Sequence, residues 1–588
     1  MMKKSLLSLL LIIFLIQLSN FIKCEEEYFN DLCFTKSINI NNTGIEYGEV
    51  GLDHRILPVW DQVYNPGEGV SISIVSDGIY FNHTEIKANV NFNLSHNYLP
   101  GQNSSDLWPN TGSEPLGSHI AGILAMTANN SECSAGIAYN TTIISRSIYN
   151  NTYLAEDEVI AQALYDTGRY NETQIDIVVF EFDLGNCIDI LTCHFLPDKP
   201  LLHEAIKAGT EVGRDGRGIF YISPLQEEVL GNTNKYPTNK WREVCIVAPI
   251  THQGRQMDHN EEGSNIMFSG VVLYGDTKGL PTIQLDVDSQ FMCAYGGSSN
   301  AAAANVAGVA ALVLQANPNL TWRDLRHILI TTAYQNFNES SSWILNGDNR
   351  WYSHKFGFGV PDAEAAFEMA TDDYPLLANE TIYEKEDFLE DKYRQINSTG
   401  YTRELNMTDH NITVFFVEVW VNITHVYRGD LKITLYSPYL TPSYFAYPSY
   451  DYYDDLINYT FSSWAHYGES CNGAWRLTIS DEEEYDFGEW MNWGIRIYGI
   501  DTKYDIPPPP SPPAYVSTIP DPSPSPPEPS PSPSPSSSPS ASISISSSPS
   551  PESSESTTTT SSHSFTVWGM QSKGWFITIS LILLAIFI

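Results

Sequence analysis

The chain has 588 residues, enough for two or three folded domains and an unstructured part. Its 31 basic residues stand against 70 acidic ones, a net charge of −39. Such a surface repels phosphate backbones, which argues against nucleic acid as a partner and makes calcium a natural ligand.

The chain opens with Lys3 and Lys4 ahead of the apolar run "SLLSLLLIIFLIQLSNFIKC". That is a signal peptide over 1–24, removed near Cys24, with an uncleaved signal anchor as the alternative. Sequons of the form N-x-[ST] recur from Asn41 to Asn458, as in a secreted glycoprotein. An N-terminal segment (25–52) follows. From Gly69 to Gly359 strand-like runs ("VSISIVSDG", "TIISRSIY", "IDIVVFEFD", "GIFYIS", "VCIVAPI") alternate with helical stretches at Gly117–Ala128, Ala155–Thr167 and Leu201–Val212. This order predicts an α/β domain over 53–372 with a mainly parallel sheet. Near its end, "GGSSNAAAANVAGVAALVLQANPNLTWRDL" reads as a helix that starts just after a Gly-Ser-Ser turn. Its small residues allow close backbone approach, and its N-terminus offers N–H groups to an oxyanion. Thr321 with Asp324 reads as a capping box for the next helix.

From Tyr374 the pattern is strands only ("NITVFFVEVWVNIT", "LKITLYSP", "AWRLTISD", "MNWGIRIYG"), which predicts a β-sandwich or jelly-roll over 373–502. Arg428-Gly429-Asp430 reads as a turn between two of these strands rather than as an adhesion motif. Residues 503–562 are Pro-, Ser- and Thr-rich and predict an extended, O-glycosylated stalk. Segment 563–588 ends in the apolar run Trp575–Ile588. As a helix that run reaches about 21 Å against a bilayer core of about 30 Å. It fits a lipid-anchor (GPI) signal better than a single span, which is the alternative. The chain is therefore expected in the secretory pathway, at the cell surface or in an endomembrane compartment, held to the membrane by its tail. Cysteine use fits an oxidising compartment; Cys187 and Cys193 are close enough to pair locally.

Several segments together resemble the subtilisin/kexin family, and within it the furin-like proprotein convertases. "DGIYFNHTEI" resembles the strand-end aspartate segment and "LGSHIAGILAMTANNSECSAGIAYN" the catalytic histidine helix. "GIFYISPLQ" stands at the oxyanion-asparagine strand, and the Ala-rich helix at the serine helix. The strands after Tyr374 resemble the P (Homo B) domain that follows the protease in convertases, through "YRGDLKITLYSP", "AWRLTISD" and "WGIRIYG". The resemblance implies a serine endopeptidase scaffold whose catalytic positions have changed. The aspartate falls on Ser76, the histidine on Leu116 and the serine on Asn300. The oxyanion asparagine falls on Gln226, or on Leu225 if the strand slips by one residue.

Leucine accepts no proton, and an asparagine amide is not a useful nucleophile. Asp77, His119 and Ser299 lie nearby as possible substitutes. Asp77 already matches the family's second aspartate, and Ser299 reads as a helix cap. His119, one helical turn along, is the tempting replacement. The family's substrate strand corresponds to "EFD", where Asp183 replaces a glycine. Only about thirty residues separate the signal peptide from Asp53, so no assisting prodomain is expected. The resemblance also implies a calcium site of Asp31, Glu85 and Asn130, with carbonyls from Thr127, Glu132 and Ser134, and a disulfide between Cys133 and Cys293. Cys33, Cys245 and Cys471 remain as an odd set, one of them free or paired with another chain. The expectation is a surface-anchored pseudoprotease that binds a protein or peptide ligand. The alternatives are an active calcium-dependent serine endopeptidase and a structural surface glycoprotein.

Overall fold

The computed structural model describes residues 29–501, apart from 110–114, 151–152, 166–174, 182–194, 227–230, 259, 275–278, 286–290, 297–298, 372, 389–393, 409–410 and 484–485. The signal segment, stalk, tail, Cys187, Cys193 and Asp183 lie outside the described residues.

A parallel sheet buried on both faces requires apolar residues on both sides of each strand. The five runs read from the sequence meet that requirement and form one parallel sheet of seven strands, with His96–Asn97 and Ile266–Val272, which the sequence reading did not single out, at its two edges. Its order across is His96–Asn97, Thr142–Ser147, Ser71–Ser76, Ile177–Phe180, Phe220–Pro224, Val244–Thr251 and Ile266–Val272. Ile72 and Ile74 pack on one side into the cluster that holds the Ala-rich helix Ser299–Ala316. Val75 and Val178 pack on the other, with helices Asp157–Tyr165 and Pro200–Val212. The Ala-rich helix is buried from Ser299 to Leu314. Among the described residues it is the one helix long and apolar enough to cross a membrane, and it lies inside the fold. Its approach depends on a glycine: a Cβ on Gly270 would lie 2.4 Å from the Ala302 Cα.

The structure differs from the sequence expectation at element ends. The helix after Pro115 stops at Ala125 rather than Ala128, and the next starts at Asp157 rather than Ala155, while its expected end at Thr167 lies outside the described residues. Ends of this kind are the least determined part of a helix, because their last amides and carbonyls have no helical partner.

The second domain is a sandwich of antiparallel sheets. One contains Thr381–Phe388, Gly488–Asp501, Ile412–His425 and Leu456–Ser463, with Arg394–Ile396 also pairing along Gly488–Asp501. The other runs Tyr401–Met407, Gly473–Asp481, Leu431–Tyr436 and Pro442–Ala446. Their inward residues, Trp475, Trp490 and Trp493 among them, form a separate core. Arg428–Asp430 is a short turn between Ile412–His425 and Leu431–Tyr436, with Gly429 buried and Arg428 paired to Asp451 at 3.0 Å. The two domains meet over Trp464, whose N–H donates to the Ser264 carbonyl (2.8 Å). The guanidinium of Arg326 lies 4.6 Å from the rings of both Trp322 and Trp464.

Candidate functional site

In an open α/β sheet, side chains for chemistry collect beyond the carboxyl ends of the strands, where the strand order reverses. Here the order reverses at Ser71–Ser76, whose neighbours Thr142–Ser147 and Ile177–Phe180 leave to opposite sides. Ser76 ends that strand, fully buried, with its hydroxyl unpartnered. Asp77 follows, and its carboxylate accepts the Gly117 N–H (2.8 Å) at the first turn of helix Leu116–Ala125. A Cβ on Gly117 would lie 2.2 Å from the Ser76 hydroxyl, so the close fit of helix on strand needs this glycine.

Leu116 opens the same helix and His119 sits one turn on. The His119 carbonyl accepts from the Thr282 hydroxyl (2.8 Å), and the ring lies against Gly296, where a Cβ would come within 2.6 Å of Nδ1. Both contacts come from the hairpin Leu280–Leu285 and Phe291–Gly296. His119 is 2% exposed and its Nε2 has no hydrogen-bond partner. Burial alone pulls its pKa down to about 4, with no carboxylate contributing. The ring is neutral at ordinary pH, and among the described residues no acid orients it in the way a catalytic histidine requires.

Asn300 is the second residue of helix Ser299–Ala316, buried, with Oδ1 unpartnered. Ser299 is the first described residue of that helix, and residues 297–298 ahead of it lie outside the described residues. Of the two oxyanion candidates, Leu225 turns its side chain into the core and donates its N–H to the Val247 carbonyl (2.9 Å). Gln226 is half-buried. Beyond strand Ile177–Phe180, the Glu181 N–H donates to the Val75 carbonyl (3.0 Å), and its carboxylate accepts the Tyr149 hydroxyl (2.5 Å). Burial, then Glu181 and Asp77, holds the Tyr149 pKa well above 10. A recess of about 190 Å³ opens beside Asp77, walled by Asn97, Gln102, Asp106 and Trp108.

The calcium candidates come together from three segments. Asp31 accepts the N–H groups of Asn129 (2.7 Å), Asn130 (2.8 Å) and Ser131 (3.0 Å). The Asn130 side-chain amide donates to Glu85 (2.9 Å), and the Glu85 carbonyl accepts the Thr127 N–H and hydroxyl. Glu132 accepts from Thr84 (2.9 Å), and the Ser134 hydroxyl bonds that of Ser37 (2.6 Å). Burial, reinforced by Glu132 and Asp31, pushes the Glu85 pKa up to about 7, and its Oε2 is buried without a partner. An all-oxygen donor set with one unpartnered carboxylate oxygen suits a hard cation. Even so, among the described residues no group of three or more His, Cys, Asp or Glu side chains is disposed to hold a metal ion.

Cys133 and Cys293 are joined as a disulfide. Among the described residues Cys33, Cys245 and Cys471 form no disulfide. Burial raises the pKa of Cys245 and Cys471, while Cys33 is half-buried and its sulfur accepts the Tyr295 hydroxyl (3.5 Å).

Sequence reasoning missed the hairpin over His119 and the Tyr149–Glu181 pair. The hairpin strands "LPTIQL" and "FMCAYG" carry β-forming residues that would have pointed to it.

Comparison with known proteins gives two family matches, Subtilase family over residues 67–359 and Proprotein convertase P-domain over residues 414–497. Furin-like protease 1, isoform 1-CRR, of Drosophila melanogaster is 28% identical over 496 residues, covering 81% of this chain and 42% of its own length. Human Neuroendocrine convertase 2 is 28% identical over 481 residues, covering 76% of this chain and 71% of its own. The chain thus spans less than half of the fly furin-like proteases it matches. The serine protease of Aeromonas sobria shares the fold at a TM-score of 0.70 and 20% identity, over 80% of this chain and 96% of its own.

Proposed function

Because the chain belongs to the subtilase family and joins that domain to a proprotein convertase P-domain, we propose that it is a convertase-type pseudoprotease that binds a protein or peptide without cutting it. One observation carries this reading: the histidine nearest the family's catalytic position, His119, is buried and neutral, with no carboxylate of the described residues acting on it. A serine hydroxyl is a weak nucleophile until a base takes its proton, and that base works only when an acid fixes its tautomer. Leu116 supplies no base and Asn300 no hydroxyl. In subtilisin itself, losing the serine or histidine costs on the order of 10⁶ in kcat. The ligand would lie across Glu181 and the recess beside Asp77. Calcium would be structural, held by Asp31, Glu85 and Asn130, and the tail would anchor the protein to a secretory-pathway or surface membrane.

The names of the relatives favour a second reading, an active calcium-dependent serine endopeptidase. Fluorophosphonate labelling and peptide hydrolysis by the purified protein separate the two. The pseudoprotease gives neither, and Asn300→Ser alone changes nothing, because residues that act as a unit are missing together. Labelling of the parent that disappears in Ser299→Ala would overturn the proposal, since it would place the nucleophile one residue earlier.

A further inference from the structure

The strands Ile412–His425 and Gly488–Asp501 pair to their ends, with His425 opposite Gly488 and Thr424 opposite Glu489. Beyond that end lies an open cleft of about 460 Å³, far from the peptidase-like crevice in sequence and built wholly from the sandwich. Its apolar walls are Val426, 42% exposed, and Phe487, 63% exposed. Asp454, Asp455 and Glu489 complete the lining. Asp455 is fixed by the His425 N–H, which donates to its carboxylate at 2.9 Å. Among the described residues no Lys, Arg or His forms an ion pair with any of these three carboxylates, although Asp451 and Asp481 close by do have cationic or imidazole partners. Outside that lining, exposed Tyr452 has its ring centroid 6.4 Å from that of Tyr427 and 6.5 Å from that of Tyr450, both also exposed.

A ring face beside unpaired carboxylates is what a guanidinium prefers. Its plane stacks on the ring while its N–H fork bonds to the acid. The same end of the sandwich satisfies one guanidinium from within the chain. Arg428 lies 5.4 Å from the Tyr453 ring centroid and 5.5 Å from that of Phe195, and pairs with Asp451 at 3.0 Å. The cleft repeats that combination with no Lys or Arg among its described lining residues, on a chain whose net charge is −39. A metal is the poorer match, because a phenyl ring forms one wall and hard cations need oxygen all round.

We propose that this cleft binds an arginine side chain presented by a basic segment of a partner protein, with Phe487 as the stacking surface and Asp454 and Glu489 as the acids. The proposal is independent of whether the peptidase-like crevice cleaves.

The test is fluorescence anisotropy on the intact protein with a labelled nonapeptide carrying three arginines. A matched peptide with citrulline in place of arginine keeps the shape and removes the charge. Phe487→Ala, and separately Asp454→Asn with Glu489→Gln, should each weaken arginine-peptide binding by about tenfold or more. The citrulline peptide should lose at least as much, and Glu204→Gln, at an exposed acid of the other domain, should change nothing. Both Phe487 and Asp454 are exposed, so their replacement leaves the fold intact. Absence of binding to the arginine peptide, or equal binding of the citrulline peptide, overturns the proposal. So does loss of binding in Glu181→Gln with the cleft variants unaffected, which would place the peptide in the crevice instead.

Discussion

Four histidines are held neutral inside this protein. Burial lowers the pKa of His54 and His119 to about 4, and that of His327 and His354 to about 3, with neighbouring arginines adding to the effect at His327. In the unfolded chain each would titrate near its ordinary 6.5. The unfolded state therefore takes up protons first on acidification. The stability tied to these rings is full above pH 6.5 and is lost as pH falls from 6.5 towards 4. Glu85 and Asp362, whose pKa values burial raises to about 7 and about 6, act in the opposite direction over part of that range. Comparing the parent with a single variant isolates one ring. His119→Phe should flatten the dependence by on the order of 2–3 kcal/mol between pH 6.5 and 4, read from urea unfolding at fixed pH values. Parallel pH profiles for parent and variant would mean that His119 is protonated inside the fold.

The helix Trp322–Thr332 shows what the sequence carries on its own. Thr321 Oγ1 accepts the Asp324 N–H at 3.2 Å, and the Asp324 carboxylate accepts the Thr321 N–H at 3.0 Å, the reciprocal pair read from spacing alone. Thr321→Ala should cost about 1 kcal/mol in urea unfolding. The same change destroys the sequon at Asn319, so Asn319→Gln serves as the control for the glycan and Thr321→Ser should be near neutral. The parallel strands, the buried Ala-rich helix and the later sandwich were legible for the same reason: burial on both faces, or on one, leaves a periodicity in the residues. The site was legible only as positions. Spacing places His119 one turn from Leu116, but its isolation comes from Thr282 and Gly296, more than 150 residues away in the chain. Tyr149 and Glu181 meet because two strands share an end of the sheet, which no local pattern records.

At the scale of the whole molecule, the sandwich closes over the peptidase-like domain through side chains that belong to both. His327 and the Tyr467 hydroxyl are hydrogen-bonded at 2.7 Å, Tyr467 stacks on Phe415 with centroids 4.9 Å apart, and Arg326 lies between two indoles. Trp464 is almost wholly buried in the first domain's core cluster. Removing it opens a cavity shared by both domains, so Trp464→Ala should cost about 3–5 kcal/mol. Calorimetry should show one transition in the parent, shifted down as a unit in the variant. Two separate transitions in the parent would mean that the domains unfold independently.

The position of the Ala-rich helix in the chain has a consequence for how the molecule is made. The strand Ser71–Ser76 leaves the ribosome early, yet the helix that covers one of its faces ends at Ala316. At roughly 5–20 residues per second the first strands wait on the order of tens of seconds for that cover. Throughout that interval an apolar sheet face stands open to solvent. Its yield should therefore depend on chaperones that shield such faces more than on the final stability of the fold.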